Sequence, residues 1–92
     1  MPVYVDATRH KFGRMVMCHM MADTTAELLA MVDRIGIDRR HIQDAGTERE
    51  HFDISKTRRE LAVAYGAVEV HHRELGKLIQ KRREAMRERN KT

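Results

Sequence analysis

Residues 15–36 read MVMCHMMADTTAELLAMVDRIG, and the two halves of this stretch follow different periods. Met15 to Met21 is almost continuously apolar and is bounded by polar residues. At that length it fits a strand buried on both faces better than a helix. After Asp23 the pattern changes. Thr24-Thr25-Ala26-Glu27 has capping-box spacing, in which a Thr hydroxyl and a Glu carboxylate satisfy orphan backbone N–H groups. Leu28, Met31, Val32 and Ile35 then recur at helical spacing, and Gly36 supplies a left-handed stop. A buried strand feeding a well-capped amphipathic helix points to an α/β domain.

Working outward, Val3-Tyr4-Val5 is a short β-rich run ending at Asp6, and Ala7 to Arg14 is a polar, basic loop containing Gly13. Arg39 to Gln43 is a candidate short strand, and Asp44 to Glu50 is turn-rich. In His51–Ile54 the residues alternate, with Phe52 and Ile54 on one face and His51 and Asp53 on the other. Ser55 can cap a second helix with Leu61, Ala64 and Tyr65 as its inner face and Gly66 as its stop. Ala67 to Val70 reads as one more strand. The last helix runs from about His72 to Asn90. Its apolar stripe of Leu75, Leu78 and Ile79 fades to Ala85 and Met86, with Arg82 on the same face. The expected fold is a small mixed or largely parallel sheet of four or five short strands with three helices, the last long and basic. The chain is expected to be one domain over 1–92, with a core over about 2–79 and a basic helical extension over about 80–92.

Composition narrows the function classes. Hydrophobic residues make up 41% and charged residues 35%, too apolar for a disordered chain. The single cysteine, Cys18, excludes an internal disulfide and a four-cysteine zinc site. No apolar run approaches the roughly 20 residues that span a bilayer, and MPVYVDATRHK lacks the form of a signal peptide. A cytoplasmic location with no membrane contact is expected. The net charge of +4 is uneven, because residues 71–92 carry eight Lys/Arg against three Glu. A basic tail suits a polyanionic partner and equally suits a solvated helix end. Walker, GxGxxG, GxSxG and HExxH motifs are all missing.

In sheets with parallel character, ligands gather at the carboxyl ends of strands, where loops and helix starts converge. That rule collects Asp6, Arg9, His10 and Lys11, then Asp23 and Thr24, then Asp53, Ser55, Lys56 and Arg58, and finally His71, His72 and Arg73. Arg9, Lys11, Ser55, Arg58 and Arg73 are the candidate cradle for a phosphate. The bland alternative is that Thr24 and Ser55 only cap helices and the Arg residues are solvated. Asp6, His19, His51 and Asp53 form a second set, two carboxylates and two imidazoles on or beside three strands. They are candidates for acid–base catalysis or for a divalent metal (Mn, Zn or Fe), with a structural His–Asp hydrogen bond as the alternative. The Met-rich run around Cys18 reads as core filling rather than a Cu(I) site, and Cys18 as a buried, inert thiol.

VYVD, GRMVMCHMMAD, RIGIDRR, HFDIS, RELAVAYGAVEV and a following REL, taken in this order, resemble the short phage and bacterial proteins of the domain of unknown function 4031 family. The resemblance covers roughly Val3 to Leu75. It implies a compact small domain, often encoded by phages, with no activity to carry over. A coarser similarity, to PIN-like nucleases, rests on the strand ending in Asp6 and on Asp53. The chain departs from that pattern at HHRE (residues 71–74), where an acid at the strand end would be expected.

Two functions follow as expectations. One is a binding module for a phosphate-bearing ligand, a nucleotide or nucleic acid. The other is a metal-assisted hydrolase or phosphodiesterase using the His/Asp set. Protein interaction or homo-oligomerisation through the C-terminal helix is a third candidate.

Overall fold

The computed structural model describes residues 2–7, 10–12 and 15–89, with side chains for 2–7 and 17–89. In chain order the strands are β1 (Val3–Asp6), β2 (His10–Phe12), β3 (Met15–Ala22), β4 (Phe52–Ser55) and β5 (Val68–Val70). The helices are α1 (Thr25–Arg34), α2 (Lys56–Ala64) and α3 (His72–Arg89), and Arg39–His41 forms a single 3-10 turn.

β3 organises the sheet. Met17 pairs with His10 of β2 and Ser55 of β4, while Met20 pairs with Val5 of β1 and Phe52 of β4. A strand has two edges, so β1 and β2 lie in line along one edge and β4 along the other. Five strands thus occupy four positions, with β5 added parallel to β1. β3 alone runs against the rest, so the sheet is mixed. The carboxyl ends of β1, β4 and β5 consequently point the same way, with β2 prolonging the β1 edge and β4 ending opposite Met17, two residues beyond the level of Asp6. Two sequence expectations change here. His10–Phe12 is a strand rather than loop, because it extends the β1 edge along β3. In the segment 39–43, Arg39–His41 is a 3-10 turn rather than strand, capped by Asp38 accepting from the Arg40 N–H at 2.9 Å, and Gln43 makes one isolated bridge to His51.

Alternation along the strands gives the sheet two dissimilar faces. Val3, Val5, Cys18, Met20, Phe52 and Ile54 point to the first, where α1 covers them with Leu28, Met31, Val32 and Ile35. Thr24 caps α1 as expected, accepting from the Glu27 N–H at 3.2 Å and donating its own O–H to the Glu27 carboxylate at 2.9 Å. α2 docks on the same face, but not through Leu61, Ala64 and Tyr65. Leu61 and Tyr65 are exposed, and Ala62 is the buried contact. Arg58, exposed as a residue, and the half-buried Arg59 precede it and act as anchors. Arg58 donates to the Ile35 carbonyl at 2.6 Å, and Arg59 donates to the Asp6 carbonyl at 2.8 Å and pairs with Glu69 at 2.9 Å.

The second face carries Tyr4, Asp6, His19, Met21 and Asp53, together with His51 just before β4. α3 crosses its apolar part, packing Leu75 and Leu78 on Met21, Tyr4 and Val70. The docked stretch continues past Ile79. Arg82 is 7% exposed and its guanidinium reaches the fully buried Glu50 at 2.7 Å. Glu50 also accepts from the Thr25 hydroxyl and from the Gly46 N–H at 3.2 Å. Burial alone would raise its pKa. The hydrogen bonds from Thr25, Arg82 and Gly46, with the Arg82 charge, outweigh that and hold the carboxyl below the usual carboxylate range. Arg83 adds a looser pair to Glu48 at 3.3 Å. This three-layer arrangement leaves the polar part of the second face uncovered. Among the described residues, no helix is long and apolar enough to cross a membrane.

Candidate functional site

The polar row is a direct product of register. Val5 pairs with Met20, so the next step sets Asp6 beside His19, and His19 pairs with Asp53. All three side chains share the second face, with Asp6 on β1, His19 on β3 and Asp53 on β4. His51 lies two residues before Asp53 and so joins them. The four His and Asp candidates therefore meet on one face.

Asp6 is completely buried and its carboxylate grips His19 twice, accepting from the backbone N–H at 2.9 Å and from ring Nδ1 at 2.8 Å. A carboxylate offers no proton, so Nδ1 carries the hydrogen and Nε2 is the acceptor of the neutral ring. His51 is fixed in the same sense, with Nδ1 donating to the Arg49 carbonyl at 2.8 Å. Both Nε2 atoms face Asp53, at 3.9 Å from His19 and 3.6 Å from His51 to the same carboxylate oxygen. The other oxygen of Asp53 accepts from the Gln43 amide at 2.7 Å. The two rings are edge-to-face with centroids 5.6 Å apart.

Above this row lies a cleft of about 330 Å³ between the sheet and α3. Asp6, His19 and His51 form its polar floor, Asp44 and Arg49 approach from the loop before β4, and His72 stands on the α3 side. Met21, Leu75 and Ile79 supply its apolar lining, with Gly76 on the α3 side. The arrangement can position a proton acceptor, a proton donor and a cationic group around one small ligand. Among the described residues, no group of three His, Cys, Asp or Glu side chains is arranged to hold a metal ion.

Of the candidate phosphate cradle, Ser55, Arg58 and Arg73 are described with their side chains. Ser55 accepts from the Arg58 N–H at 3.3 Å as the cap of α2. The Arg58 guanidinium donates to the Ile35 carbonyl at the end of α1, on the same face of the sheet. Arg73 is exposed in the first turn of α3, where its backbone N–H donates to His71 Nδ1 at 3.2 Å. Arg9 lies outside the described residues, as does the side chain of Lys11. Glu50, Arg49 and Gly76 went unrecognised in the sequence. Only Gly76 left a signal there, as an isolated glycine inside a helical pattern.

The family described as "Protein of unknown function (DUF4031)" matches residues 3–82. The chain belongs to this family. The DUF4031 match takes in all five strands and continues along α3 to Arg82, beyond the Leu75 limit of the resemblance. It therefore includes the buried Glu50–Arg82 pair and the whole cleft. Neither the curated proteins nor the solved structures contain a match to the chain.

Proposed function

We propose that the chain is a small phosphodiesterase-type hydrolase that works by acid–base chemistry in the cleft between the sheet and α3. The observation that carries this is the Asp6–His19 pair. A fully buried carboxylate fixes the tautomer and orientation of an imidazole whose ring lines a ligand-sized cleft. In the proposed step neutral His19 takes a proton from water through Nε2. The water oxygen bonds to phosphorus as the bond to the leaving alcohol oxygen breaks. Protonated His51 returns a proton to that oxygen, so diester and water become monoester and alcohol. Both imidazoles then re-equilibrate with solvent. Arg49 and His72 line the same cleft and are placed to offset phosphate charge.

The test is turnover of bis(p-nitrophenyl) phosphate and of short mixed oligonucleotides. Wild type is expected to hydrolyse at least one, and His19→Gln to lower kcat by a factor on the order of 10² or more with an unchanged circular dichroism spectrum. No turnover by wild type, or equal turnover by His19→Gln, would defeat the proposal.

A second mechanism at the same residues, cation-assisted hydrolysis with Mn, Zn or Fe, is favoured by one observation. Both imidazoles tie Nδ1 to an acceptor and Asp53 is braced by Gln43, as metal-ligating side chains are held. Acid–base catalysis is preferred because it asks for no convergence on a single ion. Loss of turnover in EDTA with recovery on adding one of these metals would reverse that preference.

A further inference from the structure

Gly76 is the fifth residue of α3, well inside a helix of 18 residues. Glycine is among the least favourable residues at such a position, and here no structural demand explains it. Its φ is not positive, and a Cβ added there would meet nothing within 4 Å. No neighbouring element needs the close approach that a missing side chain allows. Its setting is specific, however. The positions His72, Gly76 and Ile79 follow one another at helical spacing and form the α3 wall of the cleft, beside the docked Leu75 and Leu78. The space above Gly76 belongs to the cleft itself.

We infer that Gly76 admits the flat base of a nucleotide, laid against the bare backbone of α3 between Met21 and Ile79 with its phosphate toward Arg49, His51 and His72. Three features select this ligand class. The volume of about 330 Å³ is at the small end of ligand sites, sized for one nucleotide unit rather than a buried oligomer. The cleft lining combines apolar side chains (Met21, Leu75, Ile79) with cationic and imidazole groups (Arg49, His19, His51, His72), as a ring linked to a phosphate requires. The exposed carboxylate of Asp44 beside the cleft accepts hydrogen bonds and suits amino groups on a base edge.

This inference rests on the cleft proposed above as the site and deepens it by naming the ligand. It is tested by binding alone, so the two proposals fail separately. Calorimetric titrations would compare the four nucleoside 5′-monophosphates with ribose 5-phosphate and inorganic phosphate, for wild type, Gly76→Ala and Gly76→Leu. Wild type should bind at least one nucleotide tenfold or more tighter than ribose 5-phosphate. Gly76→Ala should weaken that nucleotide tenfold or more while leaving ribose 5-phosphate unchanged, and Gly76→Leu should abolish nucleotide binding. Because Ala favours the helix, Gly76→Ala should also raise Tm by about 2–8 °C, which separates lost binding from lost fold. Equal nucleotide affinity in Gly76→Ala overturns the inference, as does equal weakening of ribose 5-phosphate or no nucleotide preference in wild type. Nucleotide binding without diester turnover would remove the hydrolase and leave the inference standing.

Discussion

Replacing Arg82 by Met should cost this domain a large share of its stability, and the structure says why. Glu50 is fully buried, and among the described residues Arg82 is its one charged partner, at 2.7 Å, with Thr25 and Gly46 supplying neutral hydrogen bonds. Removing the guanidinium strands a carboxylate in the interior. Breaking a buried pair by taking one partner away typically costs about 3–5 kcal/mol. A domain of this length has roughly 5–14 kcal/mol in all, and each kcal/mol moves Tm by about 4–8 °C. Urea and thermal unfolding followed by circular dichroism should therefore show Arg82→Met melting at least about 12 °C below wild type. The double variant Arg82→Met/Glu50→Leu should recover most of the loss, since an apolar pair leaves no charge unpaired. The pH dependence has a definite sign. In wild type the folded Glu50 pKa is lowered, so its contribution is present above the unfolded carboxyl value and is lost as pH falls through the folded one. In Arg82→Met the hydrogen bond and charge of Arg82 are gone, and only the Thr25 and Gly46 hydrogen bonds remain to oppose the effect of burial, so the carboxyl is more readily protonated than in wild type. Protonation then relieves the variant, and the stability gap should narrow toward pH 4. A loss under about 1 kcal/mol at neutral pH, or a gap that widens in acid, would refute this account of α3 docking.

Other outcomes follow from the same packing. Truncation after Ile79 should unfold or strongly destabilise the chain by removing Arg82, whereas truncation after Arg83 should leave Tm within a few degrees, as thermal melts would show. If the exposed C-terminal part of α3 joins two copies, that second truncation should also halve the mass seen by light scattering. Leu78→Ala, beneath α3, should cost about 2–5 kcal/mol in urea unfolding. Cys18 is 3% exposed in the first-face core, so it should react with a thiol reagent only on the timescale of unfolding. Rapid labelling of the native protein would show that face to be open.

The elements legible in the sequence were those with a strong local signal. The Thr24 cap, the heptad-like spacing behind it and the alternation of His51–Ile54 each fixed an element and its facing. Alternation in HFDI and the position of His19 in β3 were enough to nominate the four polar residues, and pairing register then brought them together. What stayed hidden depended on distant partners. β2 is a strand only because β3 offers an edge, and α2 turns Leu61 outward because Arg58 and Arg59 have carbonyls to reach on other elements. The role of Glu50 was invisible for the same reason: its partners lie 25 and 32 residues away. Arg82 drew notice as a charge on an apolar stripe, and its meaning came only with that partner.

The Asp6 lock on His19 is the claim most open to direct test, through the ¹⁵N shifts of the His19 ring in labelled protein above its titration range. Wild type should show the hydrogen on Nδ1 and a bare Nε2. Asp6→Asn, which presents an N–H donor where the carboxylate oxygen stood, should move that hydrogen to Nε2. A wild-type ring already protonated at Nε2, or one unmoved by the substitution, would mean that Asp6 does not set the base.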